Sequence, residues 1–98
     1  FGKGKKAHTR ELSMYYRELK KGGVKIGISV GKKHGKAVVR NRIKRLLRAC
    51  YIPLIKKINK PCHVVFVPRV AERYEYRDFL RSVDFLLKKE NLTDEIIE

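Results

Sequence analysis

The sequence predicts one small α/β domain, and three observations predict it. Two stretches, 11–19 and 24–30, alternate apolar and polar residues with period two, as half-buried strands do. Two others, 39–50 and 77–87, repeat apolar residues at helical spacing. Between them the apolar run 62–68 is too short for a helix and fits a central strand. Strands mixed with amphipathic helices in 98 residues suit a single domain spanning 1–98, with a modest core from 43% hydrophobic residues. No internal repeat, low-complexity segment or second domain interrupts it.

Each element follows from its own residues. In "ELSMYYREL" Leu12, Met14 and Tyr16 fall on one face and Ser13, Tyr15 and Arg17 on the other. "KKGG" is a glycine turn, and in "VKIGISV" Val24, Ile26, Ile28 and Val30 oppose Lys25, Gly27 and Ser29. Two alternating runs across a Gly-Gly turn predict an antiparallel pair.

The next segment, "GKAVVRNRIKRLLR", is dense in Lys and Arg yet keeps a helical register. At 100° per residue, Val39, Ile43, Leu46, Leu47 and Cys50 share one arc of about 100°. Asn41, Lys44, Arg45 and Arg48 lie opposite, with Arg40 and Arg42 flanking them. A disordered tail would not hold that register, so this is an amphipathic helix with a cationic outer face. Pro53 should end or kink it, with "LIKKI" adding at most a further turn. After "CHVVFVP" and the loop "RVAERYEY", the segment 77–87 places Phe79, Leu80, Val83, Leu86 and Leu87 inward, with Asp78, Arg81, Asp84 and Lys88 outward. Its near-balanced charge suits a structural helix. The terminal "NLTDEIIE" is acidic and weakly patterned.

Charge narrows the function. The net charge is +15, more than dispersal in water needs, which implies a polyanionic partner. Residues 1–60 carry 19 Lys/Arg against 2 Asp/Glu, whereas 61–98 carry 6 against 8. The partner surface should therefore come from the first sixty residues. Residues 35–58 contain no acid at all, unlike the mixed signs of an ordinary solvated face. Arginines there suit bidentate phosphate contacts, and Asn41 can bond sugar or base edges. Lys32, Lys33 and Lys36 add charge at the helix N-terminus, where free backbone N–H groups also attract phosphate.

Other chemistry is poorly supported. "GKKHGKA" is not a phosphate-binding loop of the Walker type: Gly31 and Gly35 are too close, and Ala37 has no hydroxyl for magnesium. His8, His34 and His63 show no triad spacing with Asp or Ser, and the acids sit among Arg73, Arg77 and Arg81 as solvated partners. Cys50 and Cys62 lack the Cys-x-x-Cys spacing, so a zinc site with His34 and His63 is disfavoured and both are expected as buried thiols of a cytoplasmic protein. No apolar run reaches the roughly 18 residues of a membrane helix. The lysine-rich start is not followed by a signal-peptide core.

"GISVGKKHGKAVVRNRIKRLLR" resembles the signature of the bacterial ribonuclease P protein subunit, Gly-x-Ala-Val-x-Arg-Asn-Arg-x-Lys-Arg. The match runs through Gly35, Ala37, Val38, Arg40, Asn41, Arg42, Lys44, Arg45 and Arg48. "FGKGKKAHTRELSMYY" is similar to the family's Phe, Gly-Lys and first long strand, and "CHVVFVPR" to its last strand. The resemblance implies a two-layer α/β (α+β) sandwich like a ribosomal protein fold, its long basic helix lying in a left-handed strand–helix–strand crossover against the usual right-handed preference.

It also implies the activity: the protein joins a large catalytic RNA, and the holoenzyme removes the 5′ leader of precursor tRNA. The RNA would supply the active site with its magnesium, so the protein itself would bind no cofactor and hold no catalytic residue. Lys32, Lys33, Lys36, Arg40, Asn41, Arg42, Lys44, Arg45 and Arg48 would face the catalytic RNA. A concave face with Phe1, Ser13, Tyr15 and Arg17 would hold the single-stranded leader, Tyr15 by base stacking unless it merely packs under a helix. Family members carry a basic, Phe-containing helix before the equivalent of Phe1, whereas this sequence starts at Phe1, so one wall of that cleft is expected to be missing. The acidic ending has no family counterpart. Two competing expectations are a basic ribosomal protein of similar fold and a protein-only nuclease, which would need a carboxylate metal site that the sequence does not offer.

Overall fold

The computed structural model describes residues 4–93. In chain order they form β1 (Lys5–His8), β2 (Leu12–Glu18), β3 (Val24–Ile28), a 3₁₀ turn at Lys32–His34, α1 (Ala37–Ile55), β4 (Cys62–Pro68) and α2 (Tyr76–Lys89). The strands make one sheet in the order β1-β2-β4-β3. Both helices pack on one face of it, giving two layers with extents of 37 × 35 × 19 Å.

Alternation decides which side of each strand is buried. Leu12, Met14 and Tyr16 of β2 and Cys62, Val64 and Phe66 of β4 face the helices. Across the gap they meet Ile43, Leu47 and Cys50 of α1 and Phe79, Val83, Leu86 and Leu87 of α2. Tyr51 on α1 stacks on Phe66 at 6.2 Å between ring centroids. Polar ties hold the margins. The Thr9 hydroxyl donates to Ser82 Oγ (2.8 Å), and the Ser82 hydroxyl donates to the Glu11 carboxylate (3.0 Å), fastening the β1–β2 turn to α2. The Tyr16 hydroxyl donates to Glu90 just past that helix. Beyond α2, Leu92 is buried, and residues 92–93 return to the segment after α1, where Asn59 N–H donates to the Leu92 carbonyl and Ile58 bridges Thr93.

The predicted antiparallel pairing of 11–19 with 24–30 does not occur. β4 lies between them, antiparallel to β2 (Met14 opposite Phe66) and parallel to β3 (Ile26 opposite Val64). Period-two alternation specifies a strand's faces but not its neighbours. A strand inserted between two others satisfies its backbone donors and acceptors on both edges, which the glycine turn alone could not foretell. β3–α1–β4 is consequently a strand–helix–strand crossover between parallel neighbours.

Three further differences are local. β1 was not expected, because "KKAH" carries no apolar alternation; it is an edge strand whose lysines discourage pairing with other chains. α1 continues through Pro53 to Ile55. The bond that Pro53 cannot donate would have gone to Ala49, on the exposed side of the helix. Finally, the buried stripe of α1 is turned from its expected arc: Val39 remains 38% exposed and Leu46 half-buried, while Arg40, Lys44 and Tyr51 sink partly on the other flank. A helix wedged against both a sheet and a second helix buries the stripe facing that corner, not the stripe of highest mean hydropathy.

Candidate nucleic-acid interface

Two faces of the molecule carry the residues singled out in the sequence. The first begins in the loop before α1. Gly35 has φ +120°, a conformation that side chains rarely adopt, and a Cβ there would lie 3.3 Å from Val39 Cβ. Behind the loop His34 is buried: Gly31 N–H donates to its Nδ1 (3.1 Å), and its Nε2 N–H donates to the Pro68 carbonyl (2.7 Å). One imidazole thereby pins the β3–α1 loop to the end of β4. Lys32, Lys33 and Lys36 project from this pinned loop, all exposed, at the start of α1.

Along α1 the outward side shows Asn41, Arg42, Arg45 and Arg48, all exposed. Arg40 and Lys44 are half-buried on the flank. The Arg40 Nε is buried without a hydrogen-bond partner among the described residues. None of these nine candidates enters an ion pair among the described residues; the pairs present join Glu18 to Lys60, Asp78 to Arg81 and Asp84 to Lys88, each at 3.0 Å. The cationic side chains thus stand uncompensated along one surface. Val38, 80% exposed, and Ile52, 56% exposed, are set among them. Such a strip can neutralise phosphates while its apolar members lie against sugars or base faces.

The second face is the side of the sheet turned away from both helices. Ser13, Tyr15 and Arg17 lie on it, opposite the buried Leu12, Met14 and Tyr16. Tyr15 therefore does not pack under either helix; the Lys6 Nζ sits over its ring, 5.3 Å from the centroid. Strand register adds residues not anticipated in the sequence. Lys6 and His8 of β1 stand beside Tyr15 and Ser13, Val65 and His63 of β4 beside Tyr15 and Arg17, and Lys25 of β3 beside His63. The period-two pattern of "CHVVFVP" could have revealed His63, Val65 and Val67; its unbroken apolar character hid it. Phe1 lies outside the described residues, as do Asp94 to Glu98 of the acidic ending.

No group of three or more His, Cys, Asp or Glu among the described residues could hold a metal ion. The shifted titrations have local causes in burial and in one surface ion pair. Burial pushes the Cys50 thiol up to about 11 and raises Cys62 as well. The Tyr16 phenol is raised by burial first and by its bond to Glu90 second. The Lys60 ammonium, through its hydrogen bond, lowers Glu18. No helix among the described residues is long and apolar enough to cross a membrane.

Comparison with known proteins identifies the family. The family profile described as Ribonuclease P matches residues 1–91. The "Ribonuclease P protein component" of Oceanobacillus iheyensis is 40% identical over 94 residues, covering 94% of this chain and 78% of that protein. That of Clostridioides difficile is 33% identical over 92 residues, covering 92% and 81%. Among solved structures, the RNase P protein of Staphylococcus aureus superposes with a TM-score of 0.82 at 27% identity, over 95% of this chain and 86% of the other. The RNase P protein of Thermotoga maritima gives 0.81 at 28% identity, over 91% and 86%. A chain matched along nearly its whole length in sequence and in fold, with Asn41 and Arg42 on the open side of its long helix and Arg40 half-buried on the flank, belongs to the bacterial ribonuclease P protein family.

Proposed function

We propose that the protein binds the catalytic RNA of ribonuclease P through the cationic side of α1 and its preceding loop. In this role Lys32, Lys33, Lys36, Arg40, Asn41, Arg42, Lys44, Arg45 and Arg48 contact the RNA, while the open sheet face around Ser13, Tyr15 and Arg17 holds the 5′ leader of precursor tRNA. The observation that carries it is the pairing of a cationic strip that enters no ion pair among the described residues with a separate, aromatic-bearing sheet face. The strip supplies sequence-independent phosphate binding, and Tyr15 supplies a stacking platform for an unpaired base.

The chemistry of leader removal then belongs to the RNA and its magnesium ions, and this chain contributes affinity and placement. Neutralising RNA phosphates with protein cations lowers the need for free divalent ions to do so. The setting is the cytoplasm, where precursor tRNA is made. Cleavage of precursor tRNA by the catalytic RNA at low magnesium should accelerate strongly when this protein is added. Equal cleavage with and without it would overturn the proposal, and cleavage by the protein without any RNA would replace it with a protein-only nuclease.

A further inference from the structure

Beside the first turn of α1, the β4–α2 loop leaves a groove of ≈ 590 Å³, within the range that holds small ligands. Arg42, Val39 and the loop residues Glu72, Arg73, Tyr74 and Glu75 line it. Through Arg42 the groove is continuous with the cationic side of α1. His34 stands at the back, both ring nitrogens already engaged, so it is wall and not ligand. The Tyr74 ring is held in place, its oxygen accepting from Ala71 N–H (2.9 Å) and its face stacked on Phe79 at 6.0 Å.

The charges around the groove are mixed and unspent. Arg42 and Arg73 are both exposed, as are Glu72 and Glu75, and none of the four forms an ion pair among the described residues. A stretch of phosphate backbone alone would be repelled by the two carboxylates. A nucleotide whose base carries hydrogen-bond donors meets every part of the lining. Guanidinium groups take its phosphate, the Val39 side chain and the tyrosine ring take the base plane, and a carboxylate accepts from the base edge. Guanine alone among the four bases offers two adjacent donors on its Watson–Crick edge, N1–H and the N2 amino group, which a carboxylate can accept together.

We infer that this groove receives one unpaired guanine nucleotide of RNA, read by Glu72 or Glu75 and anchored by Arg42 and Arg73. The inference deepens the proposed RNA-binding role of α1 and rests on it. It adds base selectivity to a surface that otherwise acts mainly through phosphate contacts.

The test uses the full chain and single-stranded RNA pentamers, adenosines throughout except for a central guanosine, inosine or adenosine. Inosine keeps N1–H but lacks the N2 amino group. The guanosine pentamer should bind about tenfold more tightly than the adenosine one, with inosine between them. Glu72→Gln combined with Glu75→Gln should abolish that order while the adenosine pentamer binds at least as well as before. Both positions are exposed, and an unchanged circular-dichroism melt confirms that the variant is folded. Equal binding of the three pentamers to the parent protein would overturn the inference, as would an order that survives the double substitution. Neither result touches the assembly of the protein with the catalytic RNA, which the magnesium experiment decides separately.

Discussion

Leu46 and Leu47 are sequence neighbours with different fates. Leu47 is fully buried between the sheet and α2, whereas Leu46 is half-buried at the rim. Leu47→Ala should therefore lower stability by roughly 2–5 kcal/mol, as removal of a buried leucine does, and Leu46→Ala by clearly less. Urea unfolding of the two variants checks this; equal losses would mean that the helix is rotated back toward the arc of highest hydrophobicity. From the sequence both leucines look alike, because a helical wheel averages over a stripe, while burial follows the corner into which the helix fits. Arg40 makes the same point from the polar side. Its place in the Arg-Asn-Arg motif marked it as an outward residue, yet its Nε is enclosed without a partner.

At the scale of the element, α1 combines one face that builds the core with one that stays open. The open face should behave as a strip of point charges. If Arg45 meets a phosphate, Arg45→Ala should flatten the slope of log K against log salt for the catalytic RNA by about one unit. Filter binding between low and moderate salt measures it, and an unchanged slope with unchanged affinity removes Arg45 from the contact. The helix and its cationic side were legible in the residues because both depend on local spacing. β1 was not, since an edge strand of lysines is defined by its partner: Lys6 takes its place only from Tyr15 opposite. The His34 staple was equally hidden, because it joins a loop to Pro68, thirty-four residues away.

Across the whole molecule, two surfaces divide the proposed work, and they should fail differently. Tyr15→Ala should weaken precursor tRNA binding to the holoenzyme by roughly 1–3 kcal/mol, the scale of one lost base–aromatic stack. Mature tRNA, which has no leader, should bind as before. Arg42→Ala should weaken assembly with the catalytic RNA whichever tRNA is present. Equal losses for precursor and mature tRNA on Tyr15→Ala would make that tyrosine a packing residue. The separation arises because, among the described residues, both helices cover the same side of the sheet, and the other side carries β-strand side chains of basic, aromatic and small apolar type.

The central position of β4 has a consequence for synthesis. As the chain leaves the ribosome, β1 and β2 can pair at once, across a turn of three residues. β3 cannot, for its sole strand partner among the described residues is β4, which begins thirty-four residues after β3 ends. A nascent chain that has emerged as far as Lys60 has all of α1 and most of its positive charge but no surface on which to lay them. Closure waits on one late strand with two distant partners, a topology that folds slowly compared with local hairpins. During that interval the exposed polycation is at its most vulnerable to indiscriminate capture by nearby RNA, and arrival of "CHVVFVP" converts a charged thread into an oriented surface.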